Sequence, residues 1–439
     1  MPRLDEDATS AMTSTSKILA RAGNRGHVAA GEVVLAKVDF LTNSDGNPFI
    51  DKFREQGLKV WDPERVLFCF DHIFQPDWMP VAAAVEHPRI KAFAIEQGIP
   101  RDNIYDLGRN GLSHQIPVEH GWALPGSVAI GGDTQSATMG AANCFAIPAL
   151  WGVDAVLLRG DIWMQVPECI KINLTGELRR RVTGKDISYQ LLRDLAGEVD
   201  GRALEINGSG VATMPMDVRM AVANGAVQIG ALSIIFPCDD VLVTYLSHRA
   251  RGSFTPVSAD EDAPYVATYD YDLGSIEPLI AGPHDIDIIR PLTEVAGLPI
   301  TAANIGSCSS GRLSDLALAA DVLRGRSVHP DVRLIVTPIS AQTALAAARQ
   351  GITDVLLTAG ATITQPGCGA CYHGNLSPLK LAAGERCIST SVETVRGRMG
   401  SADAEILLAN AGVVAASAVM GRLADPAQLL ENLQQPVTV

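Results

Sequence analysis

The sequence predicts an α/β protein of two or three domains whose chemistry gathers at the ends of strands. Three observations carry that expectation. A chain of 439 residues with 47% hydrophobic content fills more than one core. In its last third, short apolar runs alternate with alanine- and leucine-rich stretches of helical period. Three cysteines, Cys308, Cys368 and Cys371, stand just beyond such runs, where open parallel sheets collect their ligands.

The elements follow in chain order. Met1 to Ser16 is polar and expected to fray; it has no apolar signal core, and no run in the chain is long enough to span a bilayer. Pro256 to Pro264 is polar and acidic and reads as a loop or linker. Ile300 to Ile305 is an apolar run that leads into Cys308, and Leu313 to Leu323 reads as a helix with Ser309 and Ser310 available as caps. Val332 to Thr337 reads as a buried strand, Ala341 to Gln350 as a helix and Asp354 to Thr358 as a second strand, together a β-α-β unit. The turn-rich stretch Ala359 to Gly367 then delivers Cys368 and Cys371. A helix N-terminus near a thiol lowers its pKa, which suits a metal ligand.

Two thiolates three residues apart, with a third sixty residues earlier, can hold three irons of a cubane cluster and leave the fourth iron open. A zinc site normally wants a fourth protein ligand, for which His373 is the nearby candidate. Spacing alone leaves cluster, zinc and unrelated buried cysteines all open. Cys69, Cys144, Cys169, Cys238 and Cys387 are expected to pack as small apolar residues. Eight cysteines in so long a chain form no disulfide framework and suit a reducing cytoplasm. The formal charge of −14 argues against a nucleic-acid surface, and Lys171 with Arg179, Arg180 and Arg181 reads as a solvated basic face. No internal repeat or low-complexity tract stands out.

Gly306-Ser307-Cys308, Pro366-Gly367-Cys368 with Cys371, and Gly397-Arg398 together resemble the aconitase superfamily, in particular its isopropylmalate dehydratase large-subunit branch. The resemblance runs through Lys17 to Arg21, Gly31 to Val34, Asp71-His72, Gly111 to Gln115, Gly131 to Gln135, Lys185-Asp186, Leu204 to Gly208 and Ala415 to Gly421. It implies three aconitase-type α/β domains, at 1–165, 166–270 and 271–439, around a [4Fe-4S] cluster with one labile iron held by Cys308, Cys368 and Cys371. It also implies that the fourth, swivelling domain is absent and supplied as a separate small subunit. The implied chemistry is elimination and re-addition of water on a small hydroxy carboxylic acid. By the same resemblance, His72 paired with Asp71 is the acid, His114 a second pocket histidine, and Asp133 and Glu205 supporting carboxylates.

Departures from the family pattern bear on the substrate. Asp133-Thr134-Gln135 stands where relatives carry Asp-Ser-His, so a neutral amide replaces an imidazole that could transfer protons. Glu393 stands where relatives offer an arginine to a substrate carboxylate, while Arg398 matches the second arginine and Ser310 replaces an asparagine. Thr134, Gln135, Glu393 and Arg398 are therefore the expected substrate-facing set. A substrate lacking one carboxylate, or carrying a hydroxyl or cation there, explains Glu393; so does an arginine reaching in from Arg396 or Arg312. An active hydro-lyase with specificity altered from 3-isopropylmalate is expected, and the alternative is a non-catalytic, cluster-binding sensor.

Overall fold

The computed structural model describes residues 11–44, 49–72, 81–150, 152–371 and 377–430. Three larger sheets, each made mainly of parallel strands, organise them, beside a two-stranded antiparallel ribbon of Val33–Lys37 and Asp161–Gln165. The first runs Ile104–Tyr105, Val66–Cys69, Phe40–Asn43, Val128–Gly131, Phe145–Pro148. The second runs Ser233–Ile235, Ala203–Asn207, Cys169–Thr175, Ala267–Asp272. The third has seven strands, in the order Ile289–Pro291, Leu279–Ala281, Glu405–Leu408, Arg386–Ser389, Ala302–Gly306, Arg333–Thr337, Thr362–Ile363. Leu279–Ala281 pairs antiparallel with both of its neighbours, and all the remaining pairs are parallel. The inner strands of the first and third sheets are almost wholly buried, which is why they read as continuous apolar runs rather than as alternating patterns.

Parallel strands point all their carboxyl ends one way, and the fold turns the ends of the first and third sheets toward each other. Leu112 N–H donates to Ile339 O at 3.1 Å, Ala341 N–H to Asn110 O at 2.8 Å, and Cys368 N–H to the Asp71 carbonyl at 2.8 Å. Asn110 Nδ2 donates to Pro366 O at 2.7 Å. These backbone-level ties fix loops of one sheet against loops of the other. Asp71 and Cys368 meet along that seam.

Several expectations hold. Leu313–Leu323 is a helix, as is Ala341–Arg349, and Ala302–Gly306 and Arg333–Thr337 are strands. The stretch from Pro256 to Pro264 contains neither helix nor strand. Others are corrected. Asp354 to Thr358 lies in a helix, Ile352–Thr358, entered through Gly351 at φ +72°; Ile352 and Leu356 are buried one turn apart while Leu357 is exposed, a helical rather than a strand period. The strand of that unit is instead Thr362–Ile363, beside Ile335 and Val336. Ser309 and Ser310 do not cap the following helix; its N-cap is Arg312, whose N–H donates to Asp315. The N-terminal stretch is not frayed throughout, because Ser14–Ala22 is a helix capped by Thr13, with Thr15 fully buried. Of the basic run, Arg179 is exposed as expected, but Arg180 pairs with Asp321 at 3.1 Å and Arg181 with Asp425 at 2.5 Å, tying this stretch to the third sheet's side of the fold. Cys69, Cys144, Cys169 and Cys387 are buried, whereas Cys238 is half-buried.

Candidate active site

The central strand Ala302–Gly306 ends in a turn that only small residues can make. Gly306 has φ +124°, and a Cβ there would lie 2.1 Å from the Thr337 carbonyl oxygen. Gly369 presses on the same threonine from the other cysteine loop, where a Cβ would come within 2.3 Å of Thr337 Oγ1. Both loops are thus folded onto Thr337 at the end of the neighbouring strand, and their cysteines converge. The Cys308, Cys368 and Cys371 sulfurs lie within 4.8 Å of one another, and Cys308 Sγ is 4.0 Å from Cys368 Sγ. All three are buried, packed with Leu112, Ile339 and Val392.

Charge is supplied to this thiol group. Hydrogen bonds from Cys308 and Cys368 hold the Cys371 thiol well below its usual range, and the Arg398 guanidinium adds to the effect. Arg398 Nε donates to the Cys371 carbonyl at 2.7 Å, and its Nη2 lies 3.7 Å from the Cys371 sulfur. Among the described residues no histidine or carboxylate joins the three sulfurs as a fourth donor; His373 lies outside them. Three soft, buried donors with an open fourth direction fit a cubane cluster better than a closed tetrahedral ion.

The acid-base candidates surround the same seam. His72 Nδ1 lies 2.7 Å from Asp71 Oδ1, and Asp71 Oδ2 accepts the Ser113 N–H at 2.9 Å. Since the Asp71 carbonyl also accepts the Cys368 N–H, the histidine pair and the cysteine loop share one residue. His72 Nε2 lies 3.9 Å from Asp133 Oδ2. His114 is fully buried with no hydrogen-bond partner for either ring nitrogen among the described residues. Burial brings it down to about 4, with Asp133 opposing and Arg312 and His72 adding to the shift. Asp133 Oδ1 accepts the Gln135 N–H at 2.7 Å, capping the short helix Thr134–Ala142. The Gln135 side chain is buried, with Oε1 unpartnered among the described residues, while Thr134 is exposed. Half-buried Glu393 is pushed up by burial, with Arg398 opposing and Cys371 reinforcing.

Glu205 is placed differently. Its carboxylate accepts Thr15 N–H at 2.7 Å, Thr15 Oγ1–H at 2.8 Å, Ser14 N–H at 3.2 Å and Tyr265 O–H at 2.7 Å. It anchors the N-terminus of the helix Ser14–Ala22, where a negative charge is favoured, and none of these partners belongs to the cysteine pocket. Neither alternative arginine presents itself simply: Arg396 is exposed and donates to Ala402 O, and buried Arg312 donates to Gln115 Oε1 and to Ser309 O behind the Cys308 loop. One residue without an assigned role from the sequence is Lys185, whose ammonium group is buried beside Ser309. Its signal was the capping-box pattern Thr183-x-x-Asp186, which fixes where the helix Gly184–Leu195 starts and therefore where Lys185 points.

The model of the aconitase family (aconitate hydratase) matches residues 24–297 and 287–421. The 3-isopropylmalate dehydratase large subunit 2 of Rubrobacter xylanophilus is 38% identical over 95% of this chain and 98% of its own length. The corresponding large subunit of Acetivibrio thermocellus is 37% identical over 95% of this chain and 100% of its own. A probable methanogen homoaconitase large subunit of Methanosarcina mazei is 37% identical over 90% of this chain and 100% of its own. With the buried cysteine triad and the histidine–aspartate pair beside it, these matches mean that the chain belongs to the aconitase family.

Proposed function

We propose that this chain is the large subunit of a cytoplasmic iron-sulfur hydro-lyase that removes water from a small hydroxy carboxylic acid and re-adds it, with a specificity different from that for 3-isopropylmalate. The observation that carries the reading is the junction at Asp71: one residue holds His72 through its carboxylate and the Cys368 loop through its carbonyl. When bound at the three cysteines, the cluster supplies Lewis acidity at its open iron.

The chain's own residues do the rest. Asp71 fixes the His72 ring so that Nε2 faces the pocket, and His72 delivers a proton to the departing hydroxyl. His114, neutral near pH 7 because burial holds it near 4, offers its unpartnered ring nitrogens as hydrogen-bonding groups rather than as a charge. Asp133 lies 3.9 Å from His72 Nε2, and its charge acts on His114 as well. Glu205 supports the set from a distance through the helix it anchors. Gln135 hydrogen-bonds but does not titrate. Thr134, Glu393 and Arg398 complete the substrate side. Here Glu393 disfavours a second anionic carboxylate and favours a hydroxyl, an ammonium or a neutral end. A separate small subunit closes the site, as the large-subunit names of the relatives suggest.

The test is a screen of hydroxy acids with the anaerobically loaded chain and its small subunit, following the ultraviolet absorbance of the conjugated acid formed. Turnover of a monocarboxylic or hydroxyl-bearing acid over 3-isopropylmalate, with Glu393→Arg shifting preference toward the dicarboxylate, is expected. A Glu393→Arg variant with unchanged preference shows that this position does not set specificity. Cluster uptake without any turnover favours the sensor instead.

A further inference from the structure

We propose that Lys185 is the built-in counter-cation of the cysteine centre, a positioning residue that clamps the Cys308 loop to the Thr390–Val392 segment packed on the cysteines and sets the charge they face. This rests on the reading of Cys308, Cys368 and Cys371 as cluster ligands. Lys185 is 3% exposed, and its Nζ donates to Ser309 Oγ at 2.6 Å, Thr390 O at 3.0 Å and Ser391 O at 2.8 Å. Ser309 follows Cys308 directly and donates in turn to Thr390 O at 2.6 Å. Thr390 and Ser391 lead into Val392, which packs on the cysteines. One ammonium group thus joins the Cys308 loop to the segment that lies against Cys371.

All three of its protons go to neutral acceptors, and the charges that act on it are those of Asp315, Cys371, Asp186 and Cys308, none of them in hydrogen-bond contact. Among the described residues no carboxylate forms an ion pair with it: Asp186 is engaged by Thr183 N–H, Leu279 N–H and Asn410 Nδ2, and Asp315 by Arg312 N–H. The position itself opposes a cation. Lys185 lies in the first turn of a twelve-residue helix, Gly184–Leu195, where the dipole favours anions. The Tyr189 ring, 5.0 Å away, recovers part of that cost. The adjoining cavity, lined by Lys185, Ser309, Asn224 and Val392, measures about 20 Å³, room for a single water, so bulk solvent does not screen the charge. Three thiolates on a doubly positive cluster core would leave one net negative charge, which would add to Asp315 and Asp186 in balancing the ammonium group. Arg398 on Cys371 is the second cation of the same shell.

The experiment compares wild type, Lys185→Gln and Lys185→Met, each folded by circular dichroism, after anaerobic reconstitution with ferrous iron and sulfide. Iron and sulfide content is measured, with the reduction potential of the bound cluster followed by electron paramagnetic resonance. Gln keeps hydrogen-bond donors and loses the charge; Met loses both. The expected result is a more negative potential in Lys185→Gln and a loss of cluster content in Lys185→Met. A Lys185→Gln potential equal to wild type overturns the counter-cation role and leaves only a structural clamp. Wild-type protein that takes up no cluster removes the cluster reading itself, and this proposal with it.

Discussion

Replacing Asp71 by Asn separates the acid from the metal centre more cleanly than any other change at the seam. Asp71 is buried, with one carboxylate oxygen 2.7 Å from His72 Nδ1 and the other accepting the Ser113 N–H at 2.9 Å. Asn has the same shape but only one oxygen. If that oxygen keeps Ser113, the amide NH₂ faces His72 Nδ1, which must then accept; the charge that steadied a protonated ring is gone. Loss of a positioned general acid costs about 10²- to 10⁴-fold in rate. The contact to the cysteine loop runs through the Asp71 backbone carbonyl, which the substitution leaves in place. The expected outcome is a kcat down by that factor with iron and sulfide content unchanged, measured on the reconstituted chain with its small subunit. A variant within about twofold of wild type refutes the acid assignment. One that loses cluster and activity together refutes the claim that the two functions of Asp71 are separable.

Two other outcomes follow from buried carboxylates. Glu205→Gln forfeits the acceptor of the Ser14 N–H and a negative charge at a helix N-terminus, roughly 2–4 kcal/mol together. Hydrogen-exchange mass spectrometry is expected to show faster exchange for the helix Ser14–Ala22, and unchanged exchange would contradict the anchoring role. Glu119 is raised by burial to about 7, with Ser340 Oγ as partner of one oxygen and the other oxygen unpartnered. Between its ordinary value and about 7 the folded state holds a proton that the unfolded state has released, so stability falls as pH rises through that window and is level above it. Glu119→Gln is therefore expected to raise the unfolding free energy at pH 8, measured by denaturant titration, by on the order of 3 kcal/mol, and to leave it nearly unchanged below pH 5. Equal effects at both pH values would contradict this.

Much of the site was legible because strand ends and cysteine spacing are local signals. Ala302–Gly306 and Leu313–Leu323 follow from an apolar run and a helical period, and Cys308 falls between them as expected. The helix Ile352–Thr358 was misread as a strand because a short apolar run has no clear period, and the left-handed Gly351 that starts it shows only in the backbone. What no local signal carries is distance across the fold. Glu205 meets Thr15 from 190 residues away, Lys185 meets Ser309 from 124, and Arg312 meets Gln115 from 197. The polar N-terminal segment looked loose because its partners, Glu205 and Asp260, lie far along the chain. Serines that looked like helix caps are instead turned toward the lysine and the neighbouring strand end.

The central claim is that Cys308, Cys368 and Cys371 hold a cluster with one open corner, and the most direct measurement is an electron paramagnetic resonance spectrum of the chain. The protein is purified without oxygen and then mildly oxidised. The account predicts a three-iron signal that disappears when ferrous iron and reductant are restored, and that is absent in Cys371→Ser. Absence of that signal, with no iron or sulfide retained after reconstitution, would contradict the account.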